Sequence, residues 1–130
     1  MAIFKKYLYL IRYNLPMKWR VNYYKDHNGK KPVEEWIDTL DIKLKIKIFR
    51  LFELLEEFNL GLKAPYVKPL EDKLYEIRVK DSKGIYRIIY FSYTNRQFIM
   101  LNGFVKKTQK TPKKEIKLAY KRMLEVLNDE

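Results

Sequence analysis

The sequence predicts an α+β domain: an N-terminal strand and a two-helix hairpin packed on an antiparallel β-sheet, with a C-terminal helix. Three observations predict it. Residues 32–58 carry apolar side chains at helical spacing, and residues 112–127 return to that spacing. Between them, residues 73–105 form three alternating or richly apolar stretches separated by turn residues. Of the 130 residues, 47% are hydrophobic and 15% aromatic, enough to build a core in one domain.

The elements follow in order. Residues 1–16 are expected to be an extension and residues 17–130 the domain. Within the extension Lys5, Lys6 and Arg12 interrupt the apolar side chains. The run from Tyr7 to Ile11 is shorter than the ~7–15 residues of a signal-peptide core and far shorter than the ~18–20 of a membrane span. Residues 19–24 predict a first strand at a sheet edge, with Trp19, Val21 and Tyr23 on one face. Asp26-His27-Asn28-Gly29 is a turn, and Pro32 suits the first turn of a helix carrying Val33, Trp36, Ile37 and Leu40. A second helix over 42–58 buries Leu44, Ile48, Leu51, Leu55 and Phe58 and is expected to end near Gly61. Two prolines predict a loop over 64–69.

Residues 73–80 alternate, with Tyr75, Ile77 and Val79 on one face and Glu76, Arg78 and Lys80 on the other. Residues 81–84 and 93–96 read as turns around an apolar central strand, and 97–105 as the last strand, completing a meander. Thr111 is the expected N-cap of a final helix with Pro112 at its first position. Its stripe is Ile116, Ala119, Tyr120, Met123, Leu124 and Leu127.

With no cysteine and one histidine, disulfides, cysteine nucleophiles, zinc–thiolate sites and a histidine metal centre are all excluded, and neither a metal nor a cofactor is expected. Cysteine-free chains suit a reducing cytoplasm. The formal charge of +12 calls for a polyanionic or acidic partner, of which nucleic acid is the commonest. The charge is concentrated: between Asn102 and Arg122 eight basic residues stand against Glu115 alone. Such a patch attracts phosphates by displacing counterions. Lys113, Lys114, Lys117 and Lys121 fit a solvated helix face equally well. Arg87, flanked by Tyr86, Ile88 and Ile89, needs an anionic partner. That partner is either a ligand or Glu76 on the neighbouring strand. Arg78 lies at i+2 from Glu76, on the same face of its strand.

Three runs carry a resemblance: Leu74-Tyr75-Glu76-Ile77-Arg78, Tyr86-Arg87-Ile88-Ile89-Tyr90-Phe91, and Leu101-Asn102-Gly103-Phe104-Val105-Lys106-Lys107-Thr108-Gln109-Lys110-Thr111-Pro112. Over about residues 18–127 the chain resembles the phage Gp49-like, or HigB-like, branch of the RelE/ParE toxin superfamily. The resemblance implies a RelE-like fold and metal-independent, ribosome-dependent cleavage of mRNA. It also implies neutralisation by a helix-turn-helix (HigA-like) antitoxin, through which alone operator DNA would be met. It assigns catalytic roles to Arg78, Arg87, Lys106 and Lys107; Glu76, the only carboxylate among them, is expected to take the 2′-hydroxyl proton as a weak base. Asn102 stands where relatives often have histidine. The wider RNA-binding surface is expected to comprise Lys68, Lys80, Lys110, Lys113, Lys114, Tyr75 and Tyr86, the two tyrosines fitting either base stacking or the core. A non-catalytic RNA- or ribosome-binding module and a ParE-like gyrase inhibitor are the alternatives.

Overall fold

The computed structural model of the chain describes Leu8, Arg12 and residues 19–59 and 66–129. Among these, the elements are β1 (Arg20–Tyr23), α1 (Pro32–Asp38), α2 (Ile42–Phe58), β2 (Val67–Pro69), β3 (Tyr75–Asp81), β4 (Gly84–Tyr93), β5 (Gln97–Lys106) and α3 (Lys113–Asn128). The sheet order is β1-β5-β4-β3-β2. The expected meander is present, antiparallel from β3 through β5. β1 joins its edge in parallel, with Arg20 opposite Gln97. The architecture is α+β, as the periodicities predict. The expected extension, 1–16, and Gly61 lie outside the described residues, apart from Leu8 and Arg12.

Alternation along the strands gives the sheet two apolar faces. One face, from Ile77, Val79, Tyr86, Ile88, Phe98 and Met100, packs against Val33 and Ile37 of α1 and Leu44, Ile48, Phe52 and Leu55 of α2. Each such large side chain withdrawn from water contributes on the order of 1.5–3 kcal/mol. Asp41 starts α2 by accepting the Leu44 N–H at 3.0 Å. The helix ends at Asn59, whose φ is +46° and whose N–H reaches the Leu55 carbonyl. The buried row of α2 includes Phe52, while Phe58, expected inside, is exposed. Gly103 lets α1 approach: a Cβ there would lie 2.4 Å from the Trp36 ring.

The opposite face carries Leu74, Ile89, Phe91, Ile99, Leu101 and Phe104, covered by Ala119 and Met123 of α3. Tyr120 and Leu124, expected in the same stripe, are 40% exposed each; they lie to one side of the row Ile116, Ala119, Met123 and Leu127 that packs on the sheet. The other end of α3 is tied to β1. Tyr24 donates from its hydroxyl to Glu125. Arg122 stacks over the Tyr24 ring at 5.1 Å and donates to the Leu101 carbonyl at 2.7 Å.

Two local expectations are corrected. Residues 67–69, read as loop, form an edge strand with Pro69 opposite Tyr75. An edge strand accommodates proline because its outward positions need no N–H donor. Thr111 is not the N-cap of α3. Pro112 occupies that position without a side-chain cap, and its carbonyl receives the Glu115 and Ile116 N–H groups.

Candidate nucleic-acid interface

The register of the sheet lays the candidate residues out as rows on the α3 face. Lys68 pairs with Glu76, and Glu76 with Ile89, which pairs with Asn102. The next row is Arg78, Arg87 and Phe104, and the next is Lys80, Ile85 and Lys106. Strands stand about 4.8 Å apart, and side chains on one face recur every two residues, about 6.8 Å along the strand. Six candidates thus share one surface.

A bulge makes this phasing work. Ile89 faces Asn102 but Tyr90 faces Met100, so Leu101 is an extra residue in β5. Both Leu101 and Asn102 then turn toward α3, Asn102 donating from Nδ2 to the Glu115 carbonyl at 3.3 Å and to Oε1 at 3.2 Å. Had β5 alternated regularly through Leu101 with no bulge, Phe104 and Lys106 would project from the hairpin face.

The middle rows are roofed by residues 107–111, which run from the end of β5 to α3. Arg78 donates from Nε to a Glu76 carboxylate oxygen, from Nη2 to the Gln109 carbonyl at 2.6 Å and from Nη1 to Gln109 Oε1 at 3.4 Å. Thr111 donates from Oγ1 to the other Glu76 oxygen and accepts from Arg87 Nη1 at 3.5 Å. Arg87 Nη2 donates to the Thr108 carbonyl. As placed, Arg87 makes no direct ion pair with Glu76: its hydrogen-bond partners are the internal Thr111 hydroxyl and Thr108 carbonyl, its buried Nε has none, and Glu76 is reached only through Thr111. Burial lowers the Arg87 pKa, with Glu76 opposing and Arg78 adding to the fall.

Exposure divides the set. Glu76 and Arg87 are 0% exposed, whereas the Arg78 side chain is 16% exposed. As placed, Glu76 has both oxygens occupied and presents none to a ribose hydroxyl, and Arg87 offers no N–H to an outside phosphate. Lys68, Lys80, Lys106, Lys107, Lys110, Lys113 and Lys114 are exposed. Lys80, Asp81, Ile85, Lys107 and Gln109 line an open cleft of about 270 Å³ at the sheet end. That is below the ~300–1,000 Å³ of pockets that enclose small ligands, and suits contact along a backbone.

Tyr75 and Tyr86 are not part of this surface. Odd positions of β3 and even positions of β4 point to the helix hairpin, where Tyr75 stacks on Tyr90 at 5.8 Å and Tyr86 lies 6.4 Å from Trp36. Tyr86 is buried in the core, and burial together with Asp81 raises its pKa. Sequence reasoning also missed Thr108 and Gln109, and misread Thr111, as components of the site. Their only signal was a polar run between a lysine pair and a proline.

Among the described residues, no cluster of three or more histidine, aspartate or glutamate side chains is arranged to hold a metal. No helix there is long and apolar enough to cross a membrane. Residues 35–124 match the family described as Phage derived protein Gp49-like (DUF891). No curated protein matches the chain.

Proposed function

The chain belongs to the phage-derived, toxin-like Gp49-like family, and from that premise we propose that it is the toxin of a toxin–antitoxin pair that cleaves messenger RNA on the ribosome. The observation that carries the reading is the one-sided assembly of Arg78, Lys80, Lys106 and Lys107 at one end of the sheet, followed in the chain by the exposed Lys110. Lys113 and Lys114 extend it. Two lysines in the first turn of α3 oppose the positive end of the helix dipole, a local cost that an anionic partner would reverse.

Metal-free cleavage of RNA begins with attack of a 2′-hydroxyl on the adjacent phosphate. It needs cations for the charged phosphorane, an acid for the departing 5′ oxygen and an acceptor for the hydroxyl's proton, which with Glu76 enclosed is solvent water. Arg78, at the rim with Glu76 fixing its Nε, is suited to the first task, and Lys106 or Lys107 to the second. With Glu76 enclosed, placement of the message by the ribosome supplies much of the acceleration. The proposed partner is a HigA-like helix-turn-helix antitoxin, and the proposed compartment is the cytoplasm.

The test is incubation of the purified protein with programmed ribosomes and with free mRNA, each in excess chelator. The expected result is cleavage of the ribosome-bound message alone, leaving 2′,3′-cyclic phosphate ends. Intact message together with inhibited DNA supercoiling would replace this reading with a gyrase-directed one.

A further inference from the structure

The hydrogen bonds around residues 107–111 form a closed circuit. Starting from the sheet, Arg78 holds the Gln109 carbonyl and Glu76, Glu76 holds the Thr111 hydroxyl, Thr111 receives Arg87, and Arg87 holds the Thr108 carbonyl. The Thr108 hydroxyl donates to the Lys110 carbonyl at 3.3 Å. Three consecutive carbonyls of this segment are thus held by side chains. The segment carries Lys107 and Lys110 and follows Lys106, so its charges repel one another. Side-chain ties oppose that repulsion.

We propose that Thr111 and Arg87 are positioning residues: they fasten the 107–111 strap, which sets Lys107 at the cleft and carries the exposed Lys110, and Arg87 itself does not touch RNA. This rests on the reading of the chain as an RNA-cleaving toxin. A hydroxyl is the right group at 111, because it donates one hydrogen bond to the Glu76 carboxylate while accepting one from a guanidinium. Valine has the same shape and can do neither; serine can do both. Thr111 is 5% exposed, so neither lost partner is replaced by solvent. Arg87 reaches a phosphate only if the strap lifts and the whole circuit opens.

The test uses the full chain with Thr111→Val, Thr111→Ser and Arg87→Met, and three readouts. These are tryptic cutting after Lys107 and Lys110, kcat and KM on programmed ribosomes, and the salt dependence of binding to single-stranded RNA. Thr111→Val is expected to speed tryptic cutting and lower kcat by about 10–100-fold, the scale of an ångström-level misplacement, with KM within about threefold. Thr111→Ser is expected to restore both. Arg87→Met is expected to loosen the strap yet leave the slope of log K against log salt unchanged. A slope reduced by about 0.7, the loss of one phosphate contact to a single strand, would overturn the proposal. So would a loosened strap with wild-type kcat, or a Thr111→Val strap as resistant as wild type. If Thr111→Val does not fold, serine rescue and the Arg87→Met slope decide. Wild-type protein that neither binds nor cleaves RNA refutes the toxin reading, and the tryptic comparison still tests the strap.

Discussion

Arg78 and Arg87 are direct cross-strand partners on β3 and β4, yet one reaches the surface and the other is sealed beneath residues 107–111. Like charges side by side on a sheet repel. Glu76 and the carbonyls of Thr108 and Gln109 offset that repulsion. The difference in depth sorts their roles.

Replacing Arg87 with alanine therefore acts first on stability. The change opens a cavity and strips Thr108 and Thr111 of a donor. The expected loss is about 1–3 kcal/mol, the range for leaving buried polar groups without a partner, measured as a shift in urea midpoint at constant m-value.

Gly103 is the contact point of α1 with β5. Gly103→Ala sets a methyl against the Trp36 ring, which is backed by Tyr86. Overpacking of this kind costs about 1–3 kcal/mol. Thermal unfolding monitored by tryptophan fluorescence is expected to show the loss, and Trp36→Leu in the same chain to recover part of it.

Much of this was legible in the sequence, and the failures have physical causes. Helix hairpin, meander and final helix follow from periodicity, and the shared face of Glu76 and Arg78 from i+2 spacing; the ion pair of Glu76 is with Arg78, not with Arg87 as the sequence suggested. The bulge at Leu101 left no mark, because an extra apolar residue in an apolar strand changes no composition. Its consequence, the facing of Lys106, was equally invisible. Thr111 before Pro112 reads as a cap by local rules, and only the register of β3 shows that its hydroxyl is claimed by Glu76. Pro69 masked an edge strand, and strand alternation sent Tyr75 and Tyr86 to the far face.

Alkaline stability reports the tie between β1 and α3. Burial and the Glu125 hydrogen bond raise the Tyr24 pKa from 10.0 to about 12. Burial raises Tyr23 from 10.0 to about 12 as well. A raised folded-state pKa means the unfolded chain releases its protons first. The stability from these groups is complete below pH 10 and is lost as pH climbs toward 12. Tyr24→Phe, followed by urea titration at several pH values, is expected to be less stable at neutral pH and to fall less steeply across that window.

The basic end of the sheet sets the salt response. Removing Lys106 and Lys107 together is expected to reduce the slope of log K against log salt for single-stranded RNA by about 1.4, about 0.7 per contact. Removing Lys121, on the far part of α3, is expected to change it little. A filter-binding series from low to high salt checks both.

The most direct measurement is the single-turnover rate of message cleavage on programmed ribosomes, wild type against Lys106→Ala/Lys107→Ala. Both side chains are exposed, so the fold is expected to survive, with unchanged unfolding temperature. A loss of at least about 100-fold, in keeping with general-acid and electrostatic contributions of 10²–10⁴, is the predicted result. A folded double variant that cuts at the wild-type rate would contradict the assignment of this surface to the chemistry.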